Sequence, residues 1–383
     1  MPVWLQHLET LVPAQHYSQE FACEKMQQWS GDEKEQRLIR ALYKKSGIDK
    51  RHSVIDIFDD DSPQAFFATG SDGRLREPGT GERNQRFRKA SKSLTVELAR
   101  RAIANCPGIS PRRITHVITA SCTGFYNPGP DYFIVRDLGL DSATQRFNLG
   151  FMGCYAAFPA LRMASQFVQA DPAAVVLVLC LELCSLHLQL GAREDSILGN
   201  ALFADGAAAA IVSSDEVNTG GSRLRLDHFH SALIPEGEES MAWSVGDRGF
   251  DISLSGYVPK IIGANIRQPV QQALAAAGLA QDDVAAWAVH PGGRSIVDQV
   301  RQSLALAPEQ VAPSLEVLRN YGNMSSVTVL FVLQEILRRP AFTPRDRLCA
   351  MAFGPGLTVE LALLEREGCA PVSSAVPGTL ALS

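Results

Sequence analysis

The 383-residue chain lacks a long hydrophobic run, since its longest uninterrupted apolar stretch, residues 173–181, has only nine residues. A membrane-spanning helix needs about 18 to 20 such residues, so the sequence predicts no membrane span. The N-terminus carries Glu9, His16 and Glu20 where a secretory signal would need a basic start and an apolar stretch. We therefore expect a cytoplasmic protein.

Cysteine is sparse and positive charge is not in excess. Eight cysteines are too few for a disulfide scaffold in a chain of this length. Cys180 and Cys184 lie in a strand-like run without a second Cys or His pair nearby, so we expect no metal site. The formal charge is −5, from 36 basic and 41 acidic residues, so the bulk charge favours neither nucleic acid nor an anionic membrane as a partner.

The hydrophobic pattern predicts an α/β protein. The first fifty residues look helical, most clearly at residues 36–45, where apolar side chains recur at helical spacing. From Ile114 onward strands and helices alternate, which is typical of a mostly parallel sheet with helices on both faces. The predicted strands are 114–120, 146–150, 175–181, 206–212, 284–289, 348–353 and 357–364.

The second half of the chain repeats the plan of the first. A helix of small and apolar residues follows Cys154, and a similar helix starts at Ser325. We therefore expect an internal duplication into halves 1–220 and 221–383, with a seam near Asn218 to Ser222 where two glycines interrupt the pattern. The tail from Gly368 shows no periodicity, and we expect it to lack regular structure.

One cysteine stands where a nucleophile would be favoured. Cys154 opens the predicted helix 154–168, and a helix N-terminus stabilises the thiolate form. A nucleophilic thiol also needs a base or an imidazolium partner. His290 ends a predicted strand, at the edge where α/β proteins gather their active sites. Asn323 precedes the second small-residue helix, so packing of the halves about a pseudo-twofold axis would bring it to the same place.

Four motifs in register resemble one family, the type III polyketide synthases, which form the chalcone-synthase-like branch of the thiolase superfamily. They are Gly153-Cys154 before an alanine-rich helix, His290-Pro-Gly-Gly293, Gly322-Asn-Met-Ser-Ser326 and Phe353-Gly-Pro-Gly356. Ketoacyl synthase III, the close rival, usually has His-Gln-Ala-Asn in place of His-Pro-Gly-Gly. The resemblance implies a thiolase-type αβαβα five-layered sandwich built from two duplicated halves, and a homodimer.

The resemblance also implies catalytic roles. Cys154 would take an acyl group from an acyl-CoA, with His290 stabilising its thiolate as an ion pair. His290 and Asn323 would donate hydrogen bonds to the thioester carbonyl of malonyl-CoA, where loss of CO₂ places negative charge. The resulting enolate would attack the Cys154 thioester and lengthen the chain by two carbons. No metal or cofactor is implied, because acyl-CoA and malonyl-CoA are substrates.

Further positions match the family's substrate-binding and CoA-binding residues. Phe203 matches a gatekeeper phenylalanine, and the second gatekeeper position holds Ile252. The full set of substrate-binding residues expected from the resemblance is Cys122, His187, Phe203, Trp243, Ile252 and Ser325. The residues expected to contact CoA are Lys45, Arg40, Gly292 and Gly293. Lys45 matches a basic residue of the family, whereas two further basic positions of the family fall on Leu38 and Ala41, and Arg40 lies one residue away on the same helix.

The starter unit is suggested by two further stretches, 241–247 and 255–259. They look like those of bacterial enzymes that extend long fatty acyl starters into alkylpyrones or alkylresorcinols. Two alternatives stay open at this point. One is a ketoacyl synthase III-like enzyme that catalyses a single condensation, and the other is a non-catalytic protein that binds acyl-CoA.

Overall fold

The computed structural model describes residues 1–55, 65–69, 75–191, 193–214, 222–368 and 378–381. The strands are β1 Trp4–Pro13, β2 His16–Ser18, β3 Lys50–His52, β4 Ala68–Thr69, β5 Leu75–Arg76, β6 His116–Ser121, β7 Gln145–Gly150, β8 Val175–Leu183, β9 Asp205–Ser213, β10 Arg223–Leu233, β11 Met241–Gly246, β12 Gly249–Leu254, β13 Val284–Val289, β14 Arg347–Gly354, β15 Thr358–Glu367 and β16 Gly378–Leu380. The α-helices are α1 Gln19–Trp29, α2 Glu33–Lys45, α3 Thr80–Ala104, α4 Pro130–Leu138, α5 Ala157–Ala170, α6 Glu194–Leu202, α7 Val258–Asn265, α8 Arg267–Ala276, α9 Arg294–Ser303, α10 Pro308–Tyr321 and α11 Thr328–Arg338.

The main sheet has the strand order β13-β14-β15-β10-β1-β9-β8-β6-β7, with β16 added to β1. It is mixed, and the expectation of a mostly parallel sheet was wrong. Strand β6 runs parallel to β7 and β8, and β13 runs parallel to β14, whereas the other neighbours along this path are antiparallel. One reason lies in the turn Pro355–Leu357 between β14 and β15, which is too short for the crossover that parallel strands require.

The strand directions show the duplication. From the centre outward, the path β1-β9-β8-β6 is antiparallel, antiparallel and then parallel. The path β10-β15-β14-β13 follows the same sequence of directions. The two paths meet where Trp4 and Leu5 pair with Arg225 and Leu224. Most of the expected seam lies outside the described residues, so the boundary near residue 220 stays a prediction.

Helices complete the five layers of a thiolase fold. Helices α5 and α11 both contact strands of both halves and form the middle layer. On the outer faces, α3 packs on β1, β8 and β9, and α8 packs on β10 and β15. Small buried residues on α5, such as Ala157, Ala160 and Ala164, leave room for close packing in the middle of the molecule.

Two segments differ from the sequence-based expectation. The first residues form strand β1, which is buried at nearly every position because it lies between β9 and β10. A strand buried on both faces loses the polar–apolar alternation that would identify it. In the tail, Gly378–Leu380 pairs in parallel with the end of β1, while residues 369–377 lie outside the described part of the chain.

The described residues also bear on membrane and metal sites. None of their helices is both long enough and apolar enough to cross a bilayer. In the same part of the chain, no group of three or more His, Cys, Asp or Glu side chains is arranged to hold a metal ion.

Candidate active site

The three predicted catalytic residues line one cavity. Cys154 lies in a 3-10 turn, Gly153–Tyr155, that leads into α5, so it precedes the α-helix and does not open it. His290 follows the end of β13, and Asn323 follows α10. Both halves thus contribute to the cavity. Its other walls are largely apolar and include Phe203, Met241, Trp243, Ile252, Leu254, Ile296 and Phe353.

Glycines at two positions let the turn around Cys154 pack closely. Gly153 has φ +78°, and a Cβ there would lie 2.3 Å from Cδ of Pro355. A Cβ on Gly354 would lie 2.4 Å from Cδ1 of Tyr155. Only glycine avoids both the strain and the overlap at Gly153. The Gly-Pro-Gly loop therefore packs directly on the turn that carries the thiol, which explains why the two motifs occur together.

His290 presents an imidazole with both ring nitrogens available. Its backbone N–H donates to Met351 O on the neighbouring strand at 2.8 Å, and the residue is only 1% exposed. Neither Nδ1 nor Nε2 has a hydrogen-bond partner among the described residues. A Cβ on Gly292 would lie 3.6 Å from Nε2, so glycine leaves space beside the ring. Buried polar atoms without partners are costly, and this ring is therefore suited to a polar ligand group.

The side chain of Asn323 is held in one orientation. Its Oδ1 accepts from the Ser325 N–H at 2.9 Å, and Nδ2 donates to Gly292 O at 3.1 Å. Its backbone is fixed to the end of α6 and the segment that follows, because its N–H donates to Leu202 O and its carbonyl accepts from the Ala204 N–H. The second N–H of the amide stays available to a ligand, so the carboxamide is a preorganised donor.

Burial dominates the electrostatics of Cys154 and His290. Burial raises the pKa of the Cys154 thiol to about 12, with a hydrogen bond from Ser325 acting in the opposite direction. Burial also lowers the pKa of His290 to about 3. Both shifts oppose the charged forms, so they favour a neutral thiol and a neutral imidazole over the ion pair expected from the sequence. Proton transfer between the two would create opposite charges whose attraction offsets part of this cost.

Five of the expected substrate-binding residues line the Cys154 cavity: Cys122, Phe203, Trp243, Ile252 and Ser325. A second cavity shares Cys184, Phe203, Trp243 and Ile252 with it. The two gate positions therefore lie between two compartments. Trp243 forms part of the same wall, where its Nε1–H donates to Cys122 O at 3.1 Å.

His187 does not line the cavity that holds Cys154. It faces the second cavity, and both of its ring nitrogens are engaged by the backbone. Nδ1 accepts from the Phe250 N–H at 3.1 Å, which leaves Nε2–H to donate to Thr123 O at 2.7 Å. Burial lowers the pKa of His187 to about 4, so the ring stays neutral. His187 therefore supports the wall of the second cavity, and its contact with the substrate stays a prediction.

The expected CoA-binding residues lie around one corner of the molecule. Gly292 lines the cavity, while Lys45 and Arg40 are exposed on α2 and line neither cavity. A Cβ on Gly47 would lie 3.3 Å from Cδ of Arg294, the residue after Gly293. The end of α2 and the glycine loop are thus neighbours. Sequence reasoning missed Arg294, whose largely exposed guanidinium adds a cation at this corner.

Glu182 is a second residue that sequence reasoning missed. It is fully buried and accepts hydrogen bonds from the Cys122 N–H and the Thr123 hydroxyl at 3.0 Å and from the Ser326 hydroxyl at 2.6 Å. Burial raises the pKa of its carboxyl, and these hydrogen bonds act in the opposite direction. The available signal was a carboxylate directly after the longest apolar run of the chain.

Comparison with known proteins agrees with this geometry. Residues 6–216 match the N-terminal domain and residues 225–366 the C-terminal domain of the chalcone and stilbene synthases. The alpha-pyrone synthesis polyketide synthase-like protein Pks18 of Mycobacterium tuberculosis is 32% identical over 365 residues, covering 94% of this chain and 90% of Pks18.

Two crystal structures show the same fold over nearly the whole chain. Polyketide synthase PKS-I of the brown alga Ectocarpus siliculosus has a TM-score of 0.87 and 29% identity, covering 95% of this chain and 98% of that one. The 1,3,6,8-tetrahydroxynaphthalene synthase of Streptomyces coelicolor, a bacterial type III polyketide synthase, has a TM-score of 0.85 and 28% identity, covering 95% and 99%. The chain therefore belongs to the chalcone and stilbene synthase family of type III polyketide synthases, which are malonyl-CoA-dependent acyltransferases.

Proposed function

We propose that this enzyme extends a long-chain fatty acyl-CoA with several malonyl-CoA units and releases an alkylpyrone or alkylresorcinol. The observation that carries the proposal is the single apolar cavity in which Cys154, His290 and Asn323 meet. Similarity to Pks18, which is named for alpha-pyrone synthesis, supports the pyrone as the product class.

Cys154, His290 and Asn323 have different roles in the reaction. Cys154 attacks the acyl-CoA thioester while His290 accepts the thiol proton; the C–S bond to CoA breaks and CoA leaves as a thiol with that proton. His290 and Asn323 then donate to the malonyl thioester oxygen as CO₂ leaves, because negative charge develops on that atom. The enolate attacks the Cys154 thioester, so a C–C bond forms, the C–S bond to Cys154 breaks, and the chain extended by two carbons is left on CoA. These donors stabilise the charge themselves, so we propose that no metal or cofactor is needed, and activity should survive treatment with EDTA.

The apolar walls favour a long starter. Phe203, Ile252 and Leu254 offer no hydrogen bonds to a substrate but can exclude water from methylene groups. Each buried CH₂ contributes roughly 0.8 kcal/mol, which corresponds to about a fourfold increase in kcat/KM per added carbon while the chain still enters the cavity.

The test is a panel of acyl-CoA starters from C6 to C16 incubated with malonyl-CoA, with products identified by mass spectrometry. We expect kcat/KM to increase with chain length and then reach a plateau. A steady fall from C6 to C16 would contradict the long-chain assignment. Products carrying one malonyl unit only, formed with an acyl carrier protein, would instead favour the ketoacyl synthase alternative.

We also propose that the protein is a homodimer. Strand β7 is the outermost strand of the sheet and is largely exposed, so its outer edge can pair with a second copy. Phe125 and Tyr132, which are 41% and 38% exposed, lie near this edge and add apolar surface to it. Light scattering coupled to size-exclusion chromatography should give twice the 41.5 kDa chain mass, and a monomer at micromolar concentration would contradict the proposal. The cytoplasmic location stays a prediction from the sequence.

A further inference from the structure

We propose that Cys122 and Cys154 form a reversible disulfide when the enzyme meets hydrogen peroxide, and that Cys122 thereby protects the nucleophile from irreversible oxidation. The inference concerns the reactivity of two thiols, and it does not depend on which starter the enzyme uses.

The two thiols are brought together by the backbone. Strands β6 and β7 run parallel with Ser121 opposite Gly150, and the Phe151 N–H donates to Ser121 O at 3.2 Å. Cys122 is the first residue beyond β6, and Cys154 lies four residues beyond β7. Adjacent strands are about 4.8 Å apart, so the segments that lead from Ser121 to Cys122 and from Gly150 to Cys154 start at neighbouring points of the sheet edge.

The hydroxyl of Ser325 lies beside the resolving thiol and influences the nucleophile. The Cys122 Sγ lies 3.3 Å from the Ser325 hydroxyl, and the Ser325 side chain also acts to lower the pKa of the Cys154 thiol. Both thiols line the same cavity. Cys154 is partly exposed to this cavity and can meet a small oxidant, whereas Cys122 is only 4% exposed. Cys154 is therefore oxidised first, and Cys122 is the resolving thiol.

Cys122 has its own base. Its Sγ lies 3.3 and 3.4 Å from the two carboxylate oxygens of Glu182. Burial raises the pKa of the Cys122 thiol, so the thiol is protonated at rest and needs a base at the moment it reacts. Cys184 lines the cavity as well but has no hydrogen bond to Ser325 among the described contacts, so it serves as the control thiol.

The chemistry balances in two steps. Peroxide transfers a hydroxyl group to the Cys154 sulfur, so an S–O bond forms, the O–O bond breaks, and hydroxide leaves with the thiol proton as water. The Cys122 sulfur then attacks the Cys154 sulfenic acid while Glu182 takes its proton. An S–S bond forms, the S–O bond breaks, and the departing hydroxide collects that proton as a second water. Two thiols are oxidised and one peroxide is reduced.

The experiment treats the full-length enzyme with a small excess of hydrogen peroxide and then maps its peptides without reduction. We expect a cross-linked peptide containing Cys122 and Cys154, and full return of the free thiols after dithiothreitol. In Cys122→Ser, we expect Cys154 to progress to sulfinic or sulfonic acid, which dithiothreitol does not reverse. The Cys184→Ser variant should form the same cross-link as the wild type.

The readout is a peptide mass, so it does not require activity and stands apart from the test of the proposed function. If wild-type Cys154 goes directly to sulfinic acid, or pairs with Cys184, the proposal is wrong. The wild-type map decides the matter even if a variant fails to fold. Where the variants fold, the activity after peroxide treatment is normalised to that of the same untreated protein. Dithiothreitol should restore this activity in the wild type but not in Cys122→Ser.

Discussion

Asn323→Ala offers the sharpest test of how the cavity stabilises charge. One N–H of the Asn323 amide is held by Gly292 O at 3.1 Å, so only the other can reach a substrate oxygen. The substitution therefore removes a single donor and leaves His290 in place. Removal of one preorganised oxyanion donor typically reduces kcat by about 10² to 10³, or roughly 2.7 to 4 kcal/mol.

The assay measures malonyl-CoA decarboxylation in the absence of a starter, by quantifying acetyl-CoA over time. The matched control is Cys154→Ala, which should abolish chain extension while decarboxylation continues through His290 and Asn323. Asn323→Asp is a second variant, because its carboxylate still accepts from the Ser325 N–H but offers the substrate no amide donor. We expect both Asn323 variants to decarboxylate slowly and to show wild-type circular dichroism.

The outcome that would refute this reasoning is a folded Asn323→Ala enzyme with a decarboxylation rate within about threefold of the wild type. A factor of that size is less than 1 kcal/mol and would mean that the amide does not contact the developing charge.

Three further predictions concern neighbouring residues. His290→Ala should slow alkylation of Cys154 by iodoacetamide at least tenfold, since the thiol loses its base. An unchanged alkylation rate would mean that His290 does not act as the base for Cys154. Trp243→Gly should redistribute products between lactone and aromatic ring closure, because it removes a wall shared by two cavities, and an unchanged product profile would contradict that role. Gly153→Ala should destabilise the fold by about 1 to 3 kcal/mol in urea denaturation, given its positive φ and the overlap with Pro355. The control Gly256→Ala, where a new Cβ meets nothing within 4 Å, should be close to neutral.

Much of the fold could be predicted from local patterns. The apolar run at 284–289 matches β13 residue for residue, and the strands at 175–181 and 206–212 are each within two residues of β8 and β9 at either end. Strand direction could not be predicted, because periodicity reports which residues are buried and not which strand lies alongside. The same limit hid β1, whose burial on both faces removes its alternation.

The positions of the catalytic residues could also be predicted from the sequence, but their surroundings could not. The Cys154, His290 and Asn323 positions followed from motifs that mark element ends. The electrostatic environment of each group could not be predicted from motifs, because the desolvation of a side chain depends on how the whole molecule packs. The pKa of His290 falls through burial alone, and no sequence motif encodes that shift. The engagement of both His187 nitrogens by backbone groups likewise requires the folded chain.

The packing of helices α5 and α11 in the middle layer determines how the catalytic groups of the two halves are placed relative to each other. The nucleophile comes from one half and the two charge-stabilising groups from the other, so their separation is set by how these two helices pack. A bulkier residue at Ala160 or Ala164, both fully buried, would shift one half against the other. Turnover should then fail in proteins that are still folded, and neither half made separately could catalyse the reaction.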